Sequence, residues 1–196
     1  MTNERSYLLP SSQIFLILVA FLCCCKIKAN EILLNYSSSK YLYDSWRAPT
    51  EDDFDAVEKT LGVKLPPIYR DFLACQNGGS FSVTVNYFHG NFPFNDESSD
   101  TDVSVKEFYS IGCPTGLEWR DVVSVAALHR HRIPEHTIPI AGTGEDLILL
   151  NVISDEIFYW ERDLELVVSK ETNCRRIACS LREFFAGLVP ESLVDR

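Results

Sequence analysis

The sequence predicts a single α+β domain in which a mainly antiparallel sheet is flanked by helices. Three observations predict it: helical periodicity between residues 50 and 76, strict alternation directly after it, and a strand hairpin followed by a short helix near the C-terminus. The chain has 196 residues, of which 46% are hydrophobic. This length suits one substantial core, because typical domains contain about 100–200 residues.

The first predicted helix begins at a capping box formed by Thr50 and Asp53, which lie three residues apart. Phe54, Val57 and Leu61 then recur at helical intervals and predict one buried face. Gly62 follows directly and supplies the left-handed residue that commonly ends a helix.

A second short helix is predicted to begin at Pro66-Pro67, since proline suits the first turn of a helix. Its apolar positions are Ile68, Phe72 and Leu73. Asn77-Gly78-Gly79 ends it. From Phe81 to Phe88 apolar and polar residues alternate, which predicts a half-buried strand.

The middle of the chain alternates between surface and core signals. Residues Asn91 to Asp102 are polar and acidic and predict a surface loop. Val103 to Ile111 is the next predicted strand, and Trp119 to His131 has helical periodicity. The residues expected on the packed face of that helix are Trp119, Val122, Val123, Ala126 and Ala127.

The C-terminal part predicts a hairpin and a closing helix. Leu147 to Ile153 and Ile157 to Trp160 form the hairpin strands, and Leu164 to Val168 adds one further strand. Ser180 and Glu183 form a second capping box. The residues that this last helix is expected to bury are Leu181, Phe184, Phe185 and Leu188.

These segments resemble, in order, the SUKH superfamily of the Knr/Smi type, which is named for a yeast cell-wall assembly regulator. The resemblance spans Asp44 to Pro190, although Leu181 stands where the family more often has Phe. The matching motifs are Leu65-Pro66 with Tyr69 and Phe72-Leu73, Asn77-Gly78-Gly79, Ile138-Pro139-Ile140-Ala141, Gly144-Glu145-Asp146 with Leu147 to Leu150, Phe158-Tyr159-Trp160 with Asp163, and Ile177-Ala178 with Ser180, Phe184-Phe185 and Leu188.

The resemblance implies a non-enzymatic domain that binds other proteins. Bacterial members of the superfamily are typically immunity proteins that neutralise polymorphic toxins, often nucleases, so an immunity role is the first expectation. The yeast members imply the alternative, a regulatory scaffold that binds several cell-wall or signalling proteins.

The formal net charge of −10 limits the class of partner. An acidic surface disfavours binding to nucleic acid, whose phosphates require lysine and arginine, and to anionic lipid. It favours a basic protein partner, such as a toxin domain, because complementary charge accelerates association. The alternative is that the acidity serves only solubility.

No catalytic residue, metal site or cofactor is predicted. His129 and His131 could pair on a metal, but they lie at a predicted helix end beside Arg130, where cationic side chains interact favourably with the helix dipole. Gly142-Thr143-Gly144 predicts a turn, since no third glycine and no following helix complete a phosphate-binding loop.

The candidate partner-binding surface is the set of acidic and aromatic residues around the predicted hairpin. Interfaces concentrate binding energy in aromatic anchors, whereas solvated turn acids are the alternative interpretation. Charge reversal at Asp146 and Asp163 is expected to slow association with a basic partner. The candidate residues are Glu145, Asp146, Asp155, Glu156, Tyr159, Trp160, Glu161 and Asp163.

Residues 1–30 form a hydrophobic leader, because Ile14 to Cys25 are twelve consecutive apolar residues. The run fits a signal-peptide core better than a membrane span, which needs roughly 17–25 residues. Lys26 and Lys28 follow it, and the positive-inside rule then favours a cytoplasmic domain. Three interpretations stay open: an export signal, a membrane anchor, or a start codon assigned too early. Membrane contact is expected only through this run.

Overall fold

A computed structural model describes residues 42–88, 102–162 and 174–190. These residues form a single domain in which helices flank one antiparallel sheet, as the sequence predicts. Three predicted segments lie outside the described residues: the leader of residues 1–30, the strand Leu164 to Val168 and the acidic loop Asn91 to Asp102. Only the last residue of that loop, Asp102, is described, and it begins a strand. The helices are α1 (Glu51–Leu61), α2 (Pro67–Cys75), α3 (Val122–His129) and α4 (Leu181–Gly187), and the strands are β1 (Leu42–Tyr43), β2 (Gly79–Phe88), β3 (Asp102–Phe108), β4 (Thr137–Gly142), β5 (Leu147–Asn151), β6 (Ile157–Trp160), β7 (Cys174–Ala178) and β8 (Leu188–Pro190).

Seven strands pair in chain order from β1 to β7, and β8 pairs with β2. Every residue of β4 is buried, and so are the residues of β5 before Asn151. Because side chains on a strand point alternately to opposite faces, the centre of the sheet is covered on both faces. Phe108 of β3 contacts the rings of Phe72 in α2 and Phe185 in α4, and Trp160 of β6 contacts His129 in α3. No helix in the described part is long and apolar enough to cross a membrane.

Helix α1 forms as its sequence predicts. The Thr50 hydroxyl accepts a hydrogen bond from the Asp53 amide, and the Asp53 carboxylate accepts one from the Thr50 amide. Gly62 ends the helix with a left-handed φ of 72°. Phe54 and Val57 face the core.

Glu58 of α1 is a buried carboxylate that sequence periodicity does not reveal. Its side chain is 3% exposed and accepts hydrogen bonds from the Lys64 ammonium (2.5 Å), the Leu65 amide (3.1 Å) and the Arg70 guanidinium (3.1 Å). Burial raises the pKa of Glu58, but these hydrogen bonds and the two cations outweigh it, so the pKa lies below its ordinary value. This carboxylate therefore ties α1 to the start of α2.

We expect Glu58→Gln to lower the free energy of unfolding at pH 7 by about 1 kcal/mol, since hydrogen bonds to a charged group are stronger than neutral ones. The contribution of a carboxylate with a lowered pKa is present above its unfolded pKa and is lost as the pH falls through the folded value. The difference between wild type and variant should thus shrink below about pH 4.5. Urea unfolding at several pH values measures it.

Glu51→Gln is the matched control, because Glu51 also pairs with Arg70 but its side chain is 83% exposed. Its effect should be close to zero. Equal losses in the two variants, or a Glu58→Gln loss that is unchanged at low pH, would contradict the role given to Glu58.

The Asn77-Gly78-Gly79 corner joins three separate segments. The buried Asn77 amide nitrogen donates to the carbonyls of Arg47 (2.9 Å) and Ile111 (2.9 Å), and its carbonyl oxygen accepts from the Ile111 amide (2.9 Å). Gly78 has a φ of 70°, and a Cβ there would lie 2.6 Å from the Ser110 Cβ. Asparagine and glycine are therefore needed here for hydrogen bonding and for close backbone approach.

The helix predicted over Trp119 to His131 is wrong at both ends. Glu118–Arg120 form a separate 3-10 turn, and the Asp121 side chain caps α3 by accepting from the Ser124 amide (3.0 Å). The packed face is consequently shifted, so Trp119 and Ala127 are exposed and Val123 is half-buried. The residues that α3 buries are Val122, Val125, Ala126 and His129.

Candidate protein-binding surface

The acidic residues of the hairpin lie where β5, β6 and β7 run side by side. Asp146 immediately precedes β5, and its carboxylate accepts hydrogen bonds from the Tyr159 hydroxyl (2.5 Å) and the Arg162 amide (2.9 Å). Tyr159 is half-buried, and burial together with this hydrogen bond raises the pKa of its phenol. Asp146 thus positions the start of the hairpin and is already occupied by intramolecular bonds.

Two further acids form ion pairs with arginines of β7. The Arg176 guanidinium lies 2.7 Å from the Glu156 carboxylate, and that of Arg175 lies 2.7 Å from Glu161. Hydrogen bonds from Arg176 and Ser154 lower the pKa of Glu156. This surface therefore carries both acidic and basic side chains, because the arginines of β7 lie beside the acids of the hairpin. The order of acidic residues in the sequence does not show this.

Glu145 is exposed at the turn before β5, where its charge faces solvent. Asp155 lies in the hairpin turn with a left-handed φ of 64°, a conformation that Asp tolerates better than most residues. Burial raises its pKa, and a hydrogen bond from the Leu181 backbone opposes this. Glu145 is the candidate acid best placed to meet a partner, while Asp155 is half-buried against the start of α4.

Trp160 cannot serve as the aromatic anchor of this surface, which corrects that part of the sequence interpretation. Its side chain is 1% exposed, its ring lies 5.3 Å from that of His129, and Arg132 lies 5.3 Å from its centroid. The alternation along β6 sends Trp160 into the core and leaves Tyr159 partly accessible beneath Arg175. Asp163 lies outside the described residues.

His129 is also placed differently from the expectation that it acts as a cation at the helix end. It is buried, and burial, with the neighbouring Arg162 and Arg132, lowers its pKa, so the imidazole is neutral near pH 7. In the described ranges, no three His, Cys, Asp or Glu side chains come together as a metal site would require.

Arg120, like Glu58, is a buried charged residue that the sequence pattern did not predict. Its side chain is 6% exposed and donates to the Ser80 hydroxyl (2.9 Å). The carboxylates of Asp44 and Glu107 lie 3.9 Å and 3.8 Å away. Its burial depends on the pairing of β1, β2 and β3, and no local pattern around residue 120 reports that pairing.

Comparison with known proteins identifies the family. A search of curated proteins finds no match to this chain. The sequence profile of the SMI1/KNR4 family (SUKH-1) matches residues 48–187, which cover most of the chain and every helix described above. The order of two helices, the Asn-Gly-Gly corner, an antiparallel sheet and a closing helix agrees with the resemblance seen in the sequence. The chain therefore belongs to the SMI1/KNR4 family (SUKH-1).

Proposed function

We propose that this protein is a non-enzymatic immunity protein that binds and neutralises a basic toxin domain, such as a nuclease. The observation that supports the proposal is a net charge of −10 on a domain of a family associated with protein binding. A nuclease needs a cationic cleft to hold its polyanionic substrate, and an acidic protein can occupy or shield that cleft.

The hairpin is the proposed docking surface, with Glu145, Tyr159 and Glu161 near one end of β5 and β6 and Glu156 at the opposite end. A partner arginine would compete with Arg175 and Arg176 for the carboxylates with which they pair. These ion pairs would therefore orient the contact more than they would add net electrostatic attraction to it. Asp146 and Asp155 remain part of the proposed surface, and Asp163, outside the described residues, stays a candidate from the sequence alone. The antidote of a nuclease acts where nucleic acid is present, which favours a cytoplasmic domain. This holds whether or not residues 14–25 anchor the domain to a membrane.

We expect Glu145→Lys to slow association with a basic partner about threefold or more at low ionic strength, because it reverses an exposed charge at the proposed contact. Reversal of Asp146, in contrast, would break the bonds to Tyr159 and Arg162 and confound binding with stability. Surface plasmon resonance at several salt concentrations measures the rate.

Asp71→Lys is the matched control. Asp71 is exposed on α2 and its reversal produces the same change in net charge. Slower association for Glu145→Lys than for Asp71→Lys supports the hairpin. Equal association rates for the two variants would show that only the net charge of the protein affects association. The hairpin would then not be the contact surface.

Purification of the tagged full-length protein from its native cells tests the function itself. One stoichiometric basic partner whose toxicity the chain suppresses would support the immunity role. Several substoichiometric signalling or cell-wall proteins would replace it with the regulatory scaffold, the alternative suggested by the yeast relatives.

A further inference from the structure

Two large aromatic side chains are exposed around the buried Arg120. Trp119 is 56% exposed, and the Arg120 guanidinium lies 5.3 Å from its ring centroid. Tyr43 is 51% exposed and pairs in register with Ser80, so the two side chains point to the same face of the sheet. Because the Ser80 hydroxyl accepts a hydrogen bond from Arg120, Tyr43 lies on the face of the sheet that Arg120 also contacts.

Acidic groups outnumber cations at this place. Asp44 and Glu107 both lie within 3.9 Å of Arg120, and Glu118 is exposed on the turn that carries Trp119. Two carboxylates against one arginine leave an excess of negative charge, to which the exposed Glu118 adds on the neighbouring turn. A cationic group on a partner would complement that excess.

Hydrogen bonds hold the turn that carries Trp119 in place before any partner arrives. The Gly116 amide donates to the Glu118 carboxylate (2.9 Å), and the Arg120 amide donates to the Leu117 carbonyl (2.9 Å). Asp44 has a left-handed φ of 57°, a conformation that Asp tolerates better than most residues. Contacts that are fixed in advance lose little conformational entropy on binding.

We propose that Tyr43, Asp44, Glu118 and Trp119, here named the Trp119 surface, bind an arginine-bearing segment of the basic protein partner. The outer face of the Trp119 ring stacks on the partner's guanidinium, while Asp44 and Glu118 supply the opposite charge. Tryptophan and tyrosine beside a buried arginine are the residue types that dominate binding energy at protein interfaces. This inference rests on the proposed function and places a contact on β1 and the 3-10 turn, away from the β5–β6 hairpin.

The probe is a hexa-arginine peptide, with a hexa-citrulline peptide as the uncharged control of similar shape. Titration into isotope-labelled full-length protein is followed by the indole N–H resonances of Trp46, Trp119 and Trp160, which single Trp→Phe variants assign. Hexa-arginine is expected to move the Trp119 resonance and to leave that of the buried Trp160 in place. Hexa-citrulline is expected to move neither.

Trp119→Ala and Asp44→Asn should each raise the Kd of hexa-arginine about two- to fivefold, the range for one exposed cation–π contact or ion pair. Asn tolerates the left-handed backbone at position 44, so that variant keeps the fold if Trp119→Ala does not. Leu128→Ala and Ile153→Ala are controls, because these aliphatic residues are 72% and 76% exposed, and their Kd should be unchanged.

Shifts confined to the hairpin around Glu145, with the Trp119 resonance unmoved, would contradict binding at the Trp119 surface. The proposal of a basic partner would still hold in that case. Absence of any shift with hexa-arginine at low salt would overturn both this surface and the preference for a basic partner. A Kd that rises equally in the Leu128→Ala and Trp119→Ala variants would also overturn it.

Discussion

Gly78→Ala is expected to lower the free energy of unfolding by roughly 3 kcal/mol, because two costs add at one position. The left-handed φ of 70° disfavours any Cβ by about 1–2 kcal/mol. The new Cβ would also lie 2.6 Å from the Ser110 Cβ and 2.9 Å from the Ser110 amide nitrogen. Backbone cannot move aside as a flexible side chain can, and overpacking of this kind typically costs 1–3 kcal/mol. Urea unfolding followed by circular dichroism measures the change.

Gly62→Ala separates the two costs. Gly62 has nearly the same φ, 72°, but a Cβ there would meet no atom within 4 Å. This variant should lose only about 1 kcal/mol, the conformational part alone. Losses of similar size in both variants would mean that close packing against Ser110 does not explain why glycine occupies position 78.

Trp160→Ala is expected to lower the free energy of unfolding by about 3–5 kcal/mol, the range for removing a buried aromatic side chain. The ring is 1% exposed and contacts His129, so its loss opens a cavity between β6 and α3. Trp119→Ala is the matched control, since the same change at a side chain that is 56% exposed should cost less than about 1 kcal/mol.

The pair of tryptophan variants also separates stability from binding. Trp119→Ala should weaken partner affinity while the protein stays folded, whereas Trp160→Ala should act through stability. Thermal unfolding measured beside partner affinity distinguishes the two effects. A stable Trp160→Ala variant that binds poorly would restore Trp160 as a contact residue and contradict the placement of its ring in the core.

The sequence patterns correctly predicted the elements that depend on residues close together in the chain. The capping box at Thr50 and the buried stripe of α4 are confirmed, because each depends on residues three or four positions apart. The Ser180 hydroxyl caps α4 by accepting from the Glu183 amide, but the Glu183 carboxylate accepts from the amide of Cys179, the residue before the cap. The periodicity that placed Trp119 in a helix was misleading, since the cap at Asp121 shifts the start of α3 by one turn. The hydrogen bond from the Ser124 amide to the Asp121 side chain marks the observed start of the helix, and the apolar periodicity alone does not predict it.

The contacts of the candidate site join residues that are far apart in the sequence. The acids of the hairpin were found by counting, but their pairing with Arg175 and Arg176 depends on the register of β6 against β7. The burial of Glu58 and Arg120 likewise comes from partners distant in the sequence, and alternation could not say which of Tyr159 and Trp160 faces the core. Family resemblance predicted the fold, which the structure confirms, and suggested a protein-binding function without identifying a contact.

Growth of cells that express the co-purified basic partner tests directly whether this chain neutralises a basic toxin. We expect the partner alone to arrest growth and co-expression of the wild-type chain to restore it. A variant that combines Glu145→Lys with Trp119→Ala should protect the cells more weakly. Cells that grow normally with the partner alone, or that stay arrested when the folded wild-type chain is present, would contradict this neutralising function.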